Sequence, residues 1–436
     1  MSDATVLFVS YSFPPNGGSG VQRVYKFVKY LPRYGFNTSV LTSKSIFKLT
    51  ADSTLLKELN GDSKIIRSLT LDPMFLAGFV GSKISDSSKK VNDTLSVSRS
   101  NFYKKLFKLM VVARNYLRLP DQYIGWLPFA IFHGYIHLKK QKNAVIIVSL
   151  PVYTTALVGY VLSKLTNVPL LIDFRDGWVD DPYLNLPTKF HRAFHSRLEK
   201  IIVGHAKHLV VYGQWLADIY KIKYPSKATT VILNGFDNED FNFNENFEKN
   251  TGGIKLVYSG SLFEYHQEFI ELLFSTISTL PSDILDGLEI HFAGDIQMTS
   301  FDELVDRFSL SGQIKKLGYL PHMESIRNML TADGLIFTIP RGDVSSYTSK
   351  IFEYLATQKP IISFVTEDGC GGQLLKDFGH ECWLIDYDQY KALEIFSNIK
   401  SLRSAKIINS PELLSRIERK GQAFELSKII QMYVVS

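Results

Sequence analysis

The chain has 436 residues, 45% of them hydrophobic and 21% charged. That balance excludes a mainly disordered, collagen-like or coiled-coil chain and supplies enough apolar material for two sizeable cores. The net charge of +6 hides an asymmetry: residues 1–235 hold 31 Lys/Arg against 14 Asp/Glu (+17), and residues 236–436 hold 18 against 29 (−11).

A basic half suits an anionic partner, whether a membrane surface, a nucleic acid or a phosphorylated substrate. No nucleic-acid-binding motif accompanies the charge, so that partner ranks last. Two cysteines, Cys370 and Cys382, make no disulfide or zinc framework. The opening MSDATVLFVSYSF has no basic leader and no cleavage site, and does not read as a secretory signal. Apolar runs stay near 10 residues, short of the roughly 20 a membrane helix needs. The expectation is a soluble protein of a reducing compartment.

In chain order, Val6–Ser10 is a short apolar strand, followed by a proline- and glycine-rich loop, Phe13 to Gly20. Val21, Val24, Phe27, Val28 and Leu31 then recur at helical spacing, and Asn37–Leu41 reads as a second strand. This strand, glycine loop, helix, strand unit opens an α/β domain with a buried parallel sheet. Residues 83–118 interleave aromatic and aliphatic residues with Lys and Arg, including Lys104, Lys105 and Lys108. They read equally as an amphipathic membrane-surface helix or as a packed helix with a solvated basic face. Further strands are predicted at Val145–Leu150, Leu170–Asp173, Leu209–Tyr212 and Thr230–Leu233.

The polar, Asn-rich segment 236–253 reads as an inter-domain linker. Strand–helix alternation restarts at Lys255–Ser259, with a helix from about Gln267. Strands follow at Leu288–Ala293, Lys316–Leu317, Gly334–Thr338 and Pro360–Phe364. The expected domains are therefore 1–235 and 254–410, both doubly wound α/β. A single long helix is expected from Pro411 to Val435.

Three constellations carry chemistry. Gly17-Gly18-Ser19-Gly20 follows a strand and opens a helix, where glycines and free N–H groups can receive an anion. Arg23 stands where a dinucleotide fingerprint would place its third glycine, so the loop reads equally as a tight turn. In Ile172-Asp173-Phe174-Arg175-Asp176, two carboxylates flank an arginine at a strand's C-terminal end. Ligands of open α/β sheets bind at such ends. The alternative is a structural ion pair. In Thr348-Ser349-Lys350-Ile351-Phe352-Glu353, hydroxyl residues lead into a helix that places Lys350 and Glu353 on one face. An ammonium suits a phosphate and a carboxylate suits a ribose diol. The bland reading is an exposed i,i+3 pair.

The sequence resembles retaining glycosyltransferases of the two-domain GT-B type, in the family 4 group. The resemblance is carried by FVSYSFPPNGGSGVQR at 8–23, LLIDFRDGW at 170–178, ILNGFD at 232–237 and YSGSL at 258–262. It continues in FAGD at 292–295, LGYLPH at 317–322 and SKIFEYLATQKPII at 349–362. The matches run in order across nearly the whole chain. The opening loop and the FRD tripeptide are similar to members that build bacterial surface polysaccharides.

The resemblance implies two Rossmann-like domains facing across a cleft, with the acceptor on the first and a nucleotide-sugar on the second. It implies a final segment, 411–436, that crosses back to the first domain. It implies a UDP- or GDP-linked donor, no metal and no other cofactor, and a glycan or lipid-linked acceptor at the cytoplasmic face of a membrane. Glu353 matches the glutamate that holds the donor ribose. Gly318 and Tyr319 fall where backbone cradles the base, and Gly17 and Gly18 where a loop approaches the donor phosphates. Arg175 and Asp176 fall in the catalytic cleft.

Two departures stand out. The family's donor loop, Gly-Arg-Leu-x-x-x-Lys, here begins Gly260-Ser261-Leu262 and ends at His266, so both cations are replaced. The family's paired glutamates become Ser345 and Glu353. A departing diphosphate needs cations or helix N-termini, and Lys350, Arg341 and the Ser349 turn are the candidates. Two rival readings follow: a non-catalytic nucleotide- or glycan-binding relative, and a sugar-nucleotide epimerase on the same fold.

Other features have local explanations. Asp388 in Asp386-Tyr387-Asp388 reads as a helix N-cap rather than a metal ligand. His191 and His195 lack a third ligand nearby in sequence. Cys370, between Gly369 and Gly371, reads as part of a tight loop.

Overall fold

The computed structural model describes residues 4–17, 19–44, 59, 63–71, 119–181, 184–241, 252–405 and 407–434. Gly18 and the basic segment with Lys104, Lys105 and Lys108 lie outside the described residues. The chain divides into two compact units, Met1–Ile232 with Ala423–Ser436, and Leu233–Gln422.

In the first unit the elements are β1 (Thr5–Val9), α1 (Ser19–Tyr30), β2 (Asn37–Ser43), β3 (Lys64–Ser68), α2 (Leu127–Leu138), β4 (Ala144–Leu150) and α3 (Tyr153–Thr166). They continue as β5 (Leu170–Phe174), α4 (Lys189–His205), β6 (His208–Val211), α5 (Gln214–Lys223) and β7 (Ala228–Val231). The seven strands form one parallel sheet in the order β3-β2-β1-β4-β5-β6-β7. β1, β4 and β5 are buried along their whole length, which explains their unbroken apolar runs. Val21, Val24, Phe27 and Val28 of α1 pack with Val6, Phe8 and Val40 in the core. Ala423, Leu426, Ile429 and Ile430, from the end of the chain, complete that layer.

The second unit contains β8 (Ile254–Ser259), α6 (Gln267–Ser278), β9 (Leu288–Ala293), α7 (Phe301–Arg307), β10 (Ile314–Gly318), α8 (His322–Leu330) and β11 (Gly334–Thr338). Next come α9 (Ser349–Thr357), β12 (Ile361–Phe364), α10 (Cys370–Asp377), β13 (Leu384–Ile385), α11 (Gln389–Ser397) and α12 (Pro411–Ser415). The helix α13 (Arg419–Gln431) begins in this unit and ends in the first. Its six parallel strands run β10-β9-β8-β11-β12-β13. Side chains alternate between two cores, as a pleated strand requires. Leu256, Tyr258, Ile336 and Ile362 face α6 residues such as Phe269 and Leu273. Val257, Leu335, Phe337 and Ile361 face Ile326 of α8 and Phe352 of α9.

The long helix expected from Pro411 is interrupted. The Phe236 N–H donates to Ile417 O at 2.9 Å, and the Arg419 N–H donates to Phe236 O at 2.9 Å. Those bonds need an extended residue at 418 (bridged to Phe236), and they split the segment into α12 and α13. The same bridge places Phe236, expected in the linker, in the core of the second unit. Cys370 also differs from expectation: it opens α10, with Gly369 as the N-cap.

Candidate active site

In each sheet the strand order reverses at one point, between β1 and β4 and between β8 and β11. The strand ends at such points are where α/β sheets place ligands. The candidate residues gather at these two ends, one group per unit.

In the first unit, Arg23 explains its own place in the opening motif. Its Nε lies 3.0 Å from both Asp173 oxygens and its Nη2 lies 2.8 Å from Asp173 Oδ1. The side chains are 1% and 2% exposed. Arg23 Nη2 also donates to Ile232 O, Ser149 Oγ donates to Asp173, and the guanidinium lies over the Phe27 ring. The third-glycine position therefore carries a buried bolt between α1 and β5, and Asp173 is committed to it. Arg175, two residues on, is engaged elsewhere. Arg175 Nε donates to Leu150 O at 2.8 Å, and its Nη1 lies 2.7 Å from where a Cβ on Gly20 would stand. Gly20 thus admits the guanidinium against the first turn of α1. Burial pushes the Arg175 guanidinium down, against the raising charges of Asp176 and Asp173. Desolvation pushes the Asp176 carboxyl up to about 6; Arg175 pulls it down and Asp181 adds to the rise.

Tyr153, which the motifs did not single out, belongs to this group. Its ring stacks on Trp178 at 4.9 Å, and burial followed by the charges of Asp181, Asp121 and Asp176 pushes its hydroxyl well up. Asp121 holds the start of α3 by accepting the Thr154 N–H at 2.8 Å and the Thr154 hydroxyl at 2.6 Å. The two histidines are local fasteners. His195 Nδ1 accepts from Trp178 Nε1 at 3.1 Å, and His191 Nδ1 lies 2.7 Å from Thr188 Oγ1. Burial pushes His195 down to about 4.

In the second unit the three glycine turns of the motifs meet. Gly260 N donates to Ala293 O and Gly294 N donates to Gly318 O. Gly294 has φ +149°, and a Cβ there would lie 2.1 Å from Gly260 O. Gly318 has φ +65°, a backbone state that favours glycine. These turns leave bare backbone at the ends of β8, β9 and β10, with Tyr319 83% exposed beside them. Ser261 is exposed, and its carbonyl accepts the Tyr258 hydroxyl at 3.3 Å.

The helix α9 is tied to this rim. The Ser259 N–H donates to Tyr354 Oη at 2.6 Å, and Ser259 Oγ lies 2.8 Å from Ser325 Oγ of α8. Ser349 opens α9, and Thr348, its N-cap, makes no side-chain cap bond. Lys350 Nζ and Glu353 Oε2 pair at 2.7 Å, 29% and 17% exposed. Ahead of α9, Asp343 Oδ1 accepts both the N–H and the hydroxyl of Ser345.

Two of the expected donor-site residues, His266 and the cation candidate Arg341, have other engagements. His266 is buried, and its Nδ1 accepts the Phe263 N–H at 3.0 Å. Burial pushes that imidazole down, favouring its neutral form. Arg341 pairs with Glu268 at 2.9 Å, both side chains more than half exposed. One histidine outside the expected site residues belongs to this unit's group. His322, the first residue of α8, bonds through Nε2 to Asp240 Oδ2 at 3.2 Å. Burial alone would lower it, but the Asp240 bond and the Glu353 and Asp240 charges outweigh burial and the opposing Lys350, and its pKa is raised. His322 lies inside the LGYLPH motif; its partner lies 82 residues earlier, in the expected linker.

Among the described residues no group of three or more His, Cys, Asp and Glu could hold a metal ion. Asp388 caps α11 by accepting the Lys391 N–H at 2.7 Å. Among the described residues no helix is long and apolar enough to cross a membrane.

No protein-family model matches the sequence, and no curated protein matches it. Solved structures do match. The chain is similar to sucrose-phosphate synthase from Thermosynechococcus elongatus, at 13% identity over 98% of both chains with a TM-score of 0.58. It is similar to WaaG, a glycosyltransferase involved in lipopolysaccharide biosynthesis, at 11% identity over 98% of this chain and 99% of that one, with a TM-score of 0.57. It is also similar to Anabaena HepE, solved in complex with UDP, at 13% identity over 98% of this chain and all of that one, with a TM-score of 0.53. At these identities the likeness establishes the fold: two Rossmann-like domains of the GT-B type.

Proposed function

We propose that the protein is a glycosyltransferase of the family 4 kind. It moves a sugar from a UDP- or GDP-linked donor to a glycan or lipid-linked acceptor, with retention of configuration, in polysaccharide or glycoconjugate biosynthesis. The observation that carries this reading is in the second unit, where three glycine turns and the Lys350–Glu353 pair share one rim of the sheet. Such a rim suits a nucleoside diphosphate: backbone for the base at Gly318 and Tyr319, Glu353 for the ribose diol, and Lys350 with the Ser349 turn for phosphate. HepE, solved with UDP on the same fold, supports a nucleotide donor.

The first unit then receives the acceptor. In this reading Asp176 orients an acceptor hydroxyl, and Arg175 stabilises negative charge near the α1 N-terminus. In the reaction the acceptor oxygen bonds to the anomeric carbon while the bond to the diphosphate breaks. The centre passes through an oxocarbenium-like state. The acceptor proton goes to a phosphate oxygen on the same face, so no protein nucleophile is needed and no metal is invoked. We place the enzyme in the cytoplasm, at the inner membrane surface, where a basic first half favours anionic lipid.

A second reading has an observation of its own. Ser261 and a buried His266 that accepts the Phe263 N–H stand where the family keeps two cations, which favours a non-catalytic nucleotide-binding relative. An epimerase of nucleotide sugars is a third, since a structural neighbour carries that description. One assay separates the three. The protein is incubated with UDP- and GDP-sugars, with and without a lipid-linked glycan extract. Acceptor-dependent release of nucleoside diphosphate supports the transferase. Acceptor-independent release or an isomerised sugar supports the epimerase. No turnover with intact nucleotide binding supports the non-catalytic relative.

A further inference from the structure

Replacing both donor-loop cations leaves an electrostatic gap that the second unit fills from another direction. His322 and Asp240 come from separate elements, α8 and the short helical turn Asn238–Phe241. Their Nε2–Oδ2 separation is 3.2 Å, with side-chain exposures of 40% and 19%. With Nε2 given to Asp240, the ring's Nδ1 has no hydrogen-bond partner among the described residues. The helix α8 shares a core with α9 through Ile326, Ile351 and Phe352, and the charges of Glu353 and Lys350 act on the ring.

We propose that His322 is a donor-contacting residue: held by Asp240, its imidazolium donates the Nδ1–H to an oxygen of the bound nucleotide, beside Glu353. The inference rests on the second unit being the donor site. It gives the site a cation that neither Ser261 nor His266 supplies, and it gives Asp240 the positioning task of holding the ring.

The groups facing His322 agree with a charged ring. The turn Asn238–Phe241 brings Asp240 and Glu239. The helix α9 brings Glu353 and, in opposition, Lys350. On α8 itself Glu324 and Arg327 carry charge. The one charged residue of β8, Lys255, is held away at the far end of α8, bonded to Thr331 Oγ1 at 2.9 Å. A histidine that served only to fasten the turn to α8 would need just its Nε2 contact, and its protonation would not be felt by a ligand.

The test is the pH dependence of binding of UDP-glucose and GDP-mannose, measured by titration calorimetry between about pH 5.5 and 8.5. The bridging diphosphates of these probes stay fully ionised there, so a slope reports the protein. The wild type is expected to lose about tenfold or more in affinity for its preferred probe as the ring deprotonates. His322→Gln is expected to bind at the alkaline level throughout, with no slope. Asp240→Asn is expected to keep the slope but move its midpoint to lower pH. A flat wild-type profile, or a His322→Gln profile that keeps the wild-type slope, overturns the inference while leaving the donor reading intact. Binding of neither probe overturns the donor reading and this inference together.

Discussion

The Tyr354 hydroxyl lies 2.6 Å from the backbone nitrogen of Ser259, 95 residues earlier in the chain. That contact joins α9, which carries Lys350 and Glu353, to the end of β8, where the glycine turns begin. Tyr354→Phe removes the acceptor and leaves a buried N–H without a partner. The expected cost is about 1–3 kcal/mol of stability, read by urea unfolding. Nucleotide affinity should fall with it, because Glu353 is displaced from the rim. A variant that binds and unfolds like the wild type would show that the contact positions nothing.

The Arg23–Asp173 pair predicts a different hierarchy. Removing one partner strands a buried charge, which typically costs about 3–5 kcal/mol. Arg23→Met and Asp173→Leu should each lower thermal stability strongly. The double variant should lose less than the two singles summed. Additive losses would mean that the two side chains act independently.

Gly294 is the tightest point of the donor rim. With φ +149° and Gly260 O 2.1 Å from a Cβ position, Gly294→Ala should cost about 1–3 kcal/mol or more and push the β8 turn away. The expected readout is a lower melting temperature together with weaker nucleotide binding. Gly35→Ala is a useful control: φ is +84° there, but no atom lies within 4 Å of the Cβ position. It should lose stability from backbone strain alone and leave nucleotide binding unchanged.

Asp176 predicts opposite signs for stability and function. Desolvation pushes its folded-state carboxyl up to about 6 from the ordinary aspartate value of 3.8. A raised carboxyl favours the protonated folded state, so its ionisation weakens the fold as pH rises from near 4 through about 6. Asp176→Asn should therefore be more stable than the wild type at pH 8 and little different at pH 4. Transfer activity should go the other way, with kcat/KM rising between about pH 5 and 7 in the wild type and Asp176→Asn nearly inactive. An unchanged acid limb in the variant would remove Asp176 from the reaction.

Much of the fold is legible because the central strands are buried on both faces. Val145–Leu150, Leu288–Ala293 and Gly334–Thr338 are apolar runs that fall on observed strands β4, β9 and β11. The edge strands were harder. β3 has only one fully buried residue, Ser68, and β10 reads Ile-Lys-Lys-Leu-Gly with four of its five residues exposed. A half-solvated edge carries little apolar signal, so the pattern does not mark β3 and marks β10 at only two positions. The break after Ser415 was invisible for another reason: it is dictated by hydrogen bonds to Phe236, some 180 residues earlier.

The candidate site shows the same division. Glu353, Lys350, Arg175 and Asp176 lie in contiguous motifs whose positions at strand and helix ends can be read locally. The partnerships that decide what those groups can do are long-range. Arg23 meets Asp173 across 150 residues, and His322 meets Asp240 across 82. Periodicity cannot pair such residues. It also cannot reveal that His266 spends its Nδ1 on the Phe263 N–H.

The most direct measurement is a calorimetric titration of the protein with UDP, GDP, ADP, CMP and dTDP, run beside Glu353→Ala. The account predicts that one nucleotide binds at about micromolar affinity and that the variant loses most of that binding with its fold intact. Failure of all five to bind the wild type, or equal binding by the variant, would contradict a donor site built on the second unit.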